Sequence, residues 1–182
     1  MCARLPSRLR VPAGYVLGAV VVLLARPSPG SLLGGLALAT VGEALRIWAS
    51  GHIDKTRVLA TGGPYAHTRN PLYLGSLLIG LGVAVGSSSP WVVLAVAAYF
   101  AAFYPSVMRE EASFLEGRFA GRYREWARVV PFFVPRLSPA GPRDSRFRWS
   151  RVASNREWRT ALALPAMALL LYAKGLAALW TG

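Results

Sequence analysis

A chain of 182 residues suits one domain, and this one is 54% hydrophobic with only 16% charged residues. Soluble domains average about 25% charged residues and disordered basic tails lack apolar runs, so both classes are excluded. The 21 Lys+Arg against 8 Asp+Glu, a net charge of +13, would favour a nucleic-acid binder if the cations formed one patch on a soluble surface.

Along the chain, five apolar segments read as membrane spans, near residues 11–25, 31–49, 71–86, 90–107 and 160–180. The first follows Arg4, Arg8 and Arg10, which is also a signal-peptide layout. No A-x-A-like site follows before Arg26, so a retained helix is expected. The second carries Glu43 and Arg46 within it. The third and fourth are separated only by Ser87, Ser88 and Ser89, a helical-hairpin signal. Lys174 lies near one end of the fifth, where it can snorkel. The expected fold is therefore an all-α polytopic helical bundle of about five spans, a single domain over residues 1–182.

The charges sort by side. With the N-terminus cytoplasmic, eighteen cations fall on one face and only Arg26 on the other, which is the positive-inside pattern. Anionic membrane lipids are then the expected partners of the basic surface, and nucleic acid is not. Of the 21 cations all but Lys55 and Lys174 are Arg, and the single Cys2 excludes an intramolecular disulfide framework.

Two polar regions flank the hairpin. In residues 51–70, Gly62-Gly63-Pro64 forces a turn, and Asn70-Pro71 sets an extended residue before a helix start. Polar groups thus meet a helix N-terminus, which favours an anionic ligand group. In residues 108–130, Ala112, Leu115, Phe119, Tyr123, Trp126 and Val130 form one helical face, with Arg118, Arg122, Arg124, Glu125 and Arg128 opposite. This predicts an amphipathic helix at the membrane surface, ended by Pro131. Glu110 and Glu111 stand where the fourth span ends and need a partner or a role. Residues 136–159 hold seven Arg interleaved with Phe147, Trp149 and Trp158, as in a lipid-head-group anchor. His52 and His67 are too few and too far apart for a metal site.

Two blocks carry a resemblance. Gly63-Pro64-Tyr65, Arg69-Asn70-Pro71, Tyr73 and Gly75 are followed, after one hairpin, by Glu110-Glu111, Leu115, Phe119, Tyr123 and Trp126. Together they resemble the isoprenylcysteine carboxyl methyltransferase and phospholipid methyltransferase superfamily of integral-membrane enzymes. The resemblance implies S-adenosyl-L-methionine (AdoMet) bound without a Rossmann domain, at the ends of the membrane helices. It places cofactor contacts at Tyr65, Arg69, Asn70, Pro71, Leu72 and Tyr73, and more loosely at Arg57, Leu59, Ala60 and Glu111. Glu111 is also a candidate catalytic group, and Arg109 a candidate for holding an anionic substrate at the pocket mouth. Asn70 stands where the family usually has His, so a His-based acid/base role is not expected; Trp126 stands where a second Tyr is common.

The residue types agree with such a ligand. Arg69, Asn70 and the helix start suit its carboxylate, Glu111 its ammonium or ribose, and the Tyr65 and Tyr73 rings its adenine or sulfonium. The implied function is a membrane methyltransferase acting on a lipophilic or lipid-linked acceptor, an isoprenylcysteine-like carboxylate or a phospholipid amine. The Arg-rich, Ala/Gly/Leu-rich composition suggests a prokaryotic inner or plasma membrane, with the active site cytoplasmic. A sterol-reductase-type NADPH enzyme and a non-catalytic membrane scaffold are the alternatives.

Overall fold

The structure, a computed structural model, describes residues 4–54, 58–142 and 144–181. It is all-helical: α1 (Arg4–Leu24), α2 (Pro29–Ser50), α3 (Pro71–Ser87), α4 (Pro90–Val129), α5 (Trp149–Ser154) and α6 (Trp158–Thr181), with a 3-10 turn at Gly63–Ala66. No strand is present among the described residues.

Proline sets the helix starts. Pro29, Pro71 and Pro90 each occupy the first turn, where the missing N–H costs nothing. Ser28 caps α2: its hydroxyl accepts from the Ser31 N–H at 3.2 Å, while the Ser31 hydroxyl accepts from the Ser28 N–H at 2.9 Å. Ser88, at φ 49°, turns the chain between α3 and α4. The fourth apolar segment continues without a break past residue 108 into the amphipathic stretch, as expected. The helix runs on, and its backbone leaves the helical region at Ala120 (φ 40°, ψ −113°), just before Gly121.

Among the described residues, α2 and α4 are long and apolar enough to cross a membrane, while Leu9–Leu24 of α1 and all of α3 are shorter. Large apolar side chains on the outer faces stay exposed, among them Tyr15, Leu23, Leu33, Trp91, Leu94 and Leu169. An apolar belt of this kind would be an aggregation liability in water and is at home in lipid.

The centre of the bundle is the α2–α3 pair, and it is built on glycine. A Cβ on Gly42 would lie 2.6 Å from the Gly75 carbonyl oxygen, and one on Gly35 would lie 2.6 Å from the Gly86 nitrogen. A Cβ on Gly82 would lie 2.5 Å from the Gly35 carbonyl oxygen. Small residues that let helix backbones touch are the usual device of helix association in lipid. Around this pair, α1 packs on α4, where the Tyr99 hydroxyl donates to the Arg10 carbonyl at 3.0 Å, and α6 packs on α2. Val21, Ala25, Ala84, Val92, Val96 and Leu171 form an aliphatic cluster. A second cluster, Ala49, Leu59, Tyr65, Tyr123, Trp126 and Val130, joins the loop after α2 to the end of α4.

Candidate functional site

The second cluster exists because the periodic apolar face of α4 has something to cover. Trp126, 1% exposed, donates its indole N–H to the Tyr65 carbonyl at 3.1 Å. Tyr123 packs edge-on against Trp126, with ring centroids 5.7 Å apart. The face expected to lie on a membrane surface is therefore folded against the loop after α2, with Ala112, Leu115 and Phe119 packed alongside.

That loop is held by the segment after α4. The Arg69 N–H donates to the Pro131 carbonyl at 2.9 Å, the Thr68 hydroxyl to Phe133 O at 2.8 Å and Asn70 Nδ2 to Phe132 O at 2.7 Å. Further on, the Gly62 N–H donates to the Ser145 hydroxyl at 2.9 Å and the Arg148 N–H to the Gly51 carbonyl at 2.9 Å. Arg151 pairs with Asp54 at 2.9 Å, and Asn155 Nδ2 donates to the carbonyls of Ser50 and Ile53. Residues 131–142 and 144–155 thus strap the loop down, a structural role beyond the head-group contact expected of the Arg-rich stretch. The motif glycines follow from this contact. A Cβ on Gly62 would strike the Ser145 carbonyl, and one on Gly51 the Phe147 ring. Gly63 sits at φ +57° directly over the His52 ring.

Between loop and helix lies a cavity of about 200 Å³. The loop contributes Ile53, Asp54, Val58, Leu59, Ala60, Tyr65, Arg69 and Asn70; α4 contributes Glu111, Ala112, Phe114, Leu115, Arg118, Phe119, Tyr123 and Trp126. Pockets for cofactor-sized ligands usually measure ~300–1,000 Å³, so a ligand of that size would have to extend beyond the enclosed volume. Phe114 and Arg118 are the exposed members of the lining on that helix, together with Glu111. The walls are mostly apolar and aromatic, and four charged residues punctuate them, Asp54 and Glu111 against Arg69 and Arg118. Arg69 lies over the Phe132 ring, 5.1 Å from its centroid, with Nη1 3.5 Å from the Tyr123 hydroxyl. Its Nε is buried without a hydrogen-bond partner among the described residues. Glu111 accepts the Tyr73 hydroxyl at 2.8 Å. Burial pushes the Tyr65 phenol well above its ordinary range, and the Glu111 carboxylate pushes the same way, so Tyr65 stays a neutral hydroxyl.

The structure brings six of the expected residues to this cavity: Leu59, Ala60, Tyr65, Arg69, Asn70 and Glu111. Tyr73 joins through its bond to Glu111, and Leu72 packs against the cluster from behind. Pro71 is buried at the start of α3 and does not line the cavity; Arg109 is exposed and lies outside the lining. Arg57 falls outside the described residues. Asn70 lines the cavity, but its amide N–H group is engaged with Phe132, so it braces the site. Arg118, expected on the polar side, instead lines the cavity. Its spacing of seven from Glu111 and three from Leu115 marks that face. Asp54 and Phe114 carried no comparable signal.

The phospholipid methyltransferase family model matches residues 31–122, from α2 through Glu111 and Arg118. The chain is 44% identical over 108 residues to the cobalt-zinc-cadmium resistance protein CzcN of Cupriavidus metallidurans, covering 57% of this chain and 47% of that protein. It is 39% identical over 108 residues to the nickel-cobalt-cadmium resistance protein NccN of Alcaligenes xylosoxydans xylosoxydans, covering 57% and 48%. The chain thus spans about half the length of the curated relatives it matches. No solved structure matches. With the match running through the first motif block, the hairpin and the second block as far as Arg122, about half of the chain, the chain belongs to the phospholipid methyltransferase family.

Proposed function

We propose that the chain is a membrane AdoMet-dependent methyltransferase and that the cavity between the α2–α3 loop and α4 holds the cofactor. The observation that carries this reading is the convergence of two sequence blocks, separated by a whole helical hairpin, on one cavity. The residues present fit the cofactor. Arg69, with its unpartnered buried Nε, suits the carboxylate. Glu111 suits the ammonium or the ribose, and the Tyr65, Phe119 and Tyr123 rings offer flat apolar surface for an adenine.

When bound, AdoMet supplies an electrophilic methyl group on a sulfonium. The protein's share is to align the acceptor and exclude water, and the apolar walls serve the second task. Tyr73 fixes the Glu111 carboxylate by hydrogen bonding to one of its oxygens, leaving the other for a ligand. Arg109, exposed on α4, is the proposed contact for an anionic acceptor.

The acceptor we propose is lipophilic or lipid-linked, a carboxylate or an amine, entering from the bilayer past Phe114. The relatives' names speak of metal resistance and name no acceptor. Among the described residues no group of three or more His, Cys, Asp and Glu is placed to hold a metal ion. For topology we propose five spans with the N-terminus and the cavity cytoplasmic, on the asymmetry of the cations, and anionic lipids beside the basic face.

The deciding experiment is titration of detergent-solubilised protein with AdoMet and, separately, with NADPH. It is followed by transfer of labelled methyl groups into a membrane lipid extract and identification of the product. AdoMet binding lost in Glu111→Ala is expected. NADPH binding without AdoMet binding would overturn the reading, and binding of neither would leave a scaffold.

A further inference from the structure

Arg46 sits on an apolar helix long enough to span a membrane, where an ionisable residue needs both a partner and a reason. Its local partner is Glu43, three residues back, but their closest approach is 4.0 Å. Both Glu43 carboxylate oxygens are buried without hydrogen bonds. The guanidinium turns elsewhere. Nη2 lies 2.9 Å from both carboxylate oxygens of Glu157, the residue before α6 begins. Nη1 donates to the Ser76 hydroxyl and to the Leu72 carbonyl, at 3.4 Å, in the first turns of α3.

Two backbone features serve this contact. A Cβ on Gly75 would lie 2.6 Å from Arg46 Cγ, so the motif glycine opens the path by which the side chain crosses α3. Arg156 adopts φ 60°, a left-handed conformation unusual for a side-chain-bearing residue, in the turn that presents Glu157. The same α3 turn reaches the cavity through its neighbours. Asn70 precedes it, Leu72 packs on the aromatic cluster, and Tyr73 holds Glu111.

We infer that Arg46, anchored by Glu157, is a positioning residue that sets the first turn of α3 and through it the Tyr73–Glu111 pair at the cavity. This rests on the cavity being the cofactor site proposed above. It joins the start of α6, beyond the stretch matched by the family model, to that site. Lysine at position 46 keeps the charge but not the planar fork that reaches two helices at once. Glutamine at position 157 keeps the shape without the charge.

The test uses the full chain in nanodiscs, with Arg46→Lys, Glu157→Gln, Glu43→Gln and Ser76→Ala. Arg46→Lys and Glu157→Gln should raise the Kd and KM for AdoMet about tenfold, with kcat at saturating AdoMet within about twofold. Amide exchange at residues 70–76 should quicken in both. Glu43→Gln, which removes no hydrogen bond from Arg46, should bind AdoMet like the wild type. Ser76→Ala should weaken binding about twofold, and it keeps the question open to measurement if Arg46→Lys fails to fold. Wild-type affinity together with wild-type exchange in the folded variants would overturn the positioning role. A wild-type protein that binds no AdoMet would instead overturn the proposed function, and exchange at residues 70–76 would still decide whether Arg46 sets that turn.

Discussion

The two buried clusters are made of different material. One is wholly aliphatic: Val21, Ala25, Ala84, Val92, Val96 and Leu171 are small or branched and carry no polar atoms on their side chains. The other is built on Tyr65, Tyr123 and Trp126, whose rings carry polar tips. Small branched side chains interdigitate and fill space. Rigid rings held by hydrogen bonds stand off from one another, and between loop and helix they leave a cavity into which Arg69 and Glu111 reach. On the proposed function the second cluster couples stability to binding, while the first does not line that cavity.

Substitutions should separate the two. Trp126→Ala should have the largest effect, about 3–5 kcal/mol of stability. It also removes the hydrogen bond to the Tyr65 carbonyl, and AdoMet binding should fall with it. Val92→Ala should cost about 2 kcal/mol and leave AdoMet affinity unchanged in the folded fraction. Calorimetric melts paired with binding isotherms check both, and a Val92 variant that loses affinity would break the comparison. Tyr73→Phe should leave the melting temperature nearly in place and weaken AdoMet by about 1.5 kcal/mol, the low end for one hydrogen bond to a charged group. The smallest effect concerns pH. The folded-state pKa of Tyr65 is raised, so its contribution is fully present below the ordinary tyrosine value of about 10 and is lost as pH climbs beyond it. An ultraviolet titration should find this phenol un-ionised until the protein unfolds.

Much of this was legible because it depends on local chemistry. Pro71 and Pro90 mark helix starts, since few other positions tolerate proline in a helix. The face from Ala112 to Val130 is legible from its period, although the period says nothing of whether lipid or protein covers it. What escaped depends on long-range geometry. Nothing about Ala120 itself favours its positive φ. The neighbour rule pairs Arg46 with Glu43, three residues away, but the structure pairs it with Glu157, 111 residues on. At the foot of another helix Glu157 brings both carboxylate oxygens to 2.9 Å from Nη2, whereas the adjacent Glu43 comes no closer than 4.0 Å. Asn70 is the subtler case: its place in the motif is plain, but its amide bond to Phe132 needs the strap that only the folded chain supplies.

The glycine contact between α2 and α3 has a mechanical consequence. Where backbones touch at Gly35, Gly42, Gly75 and Gly82, sliding one helix by a single residue, about 1.5 Å, drives a side chain into a slot sized for hydrogen. The pair therefore has one register and behaves as a ruler. The depth of Asn70 and Tyr73 relative to Arg46 is indexed to whole residues, and bilayer thickness or tension can tilt the pair but cannot reset that depth.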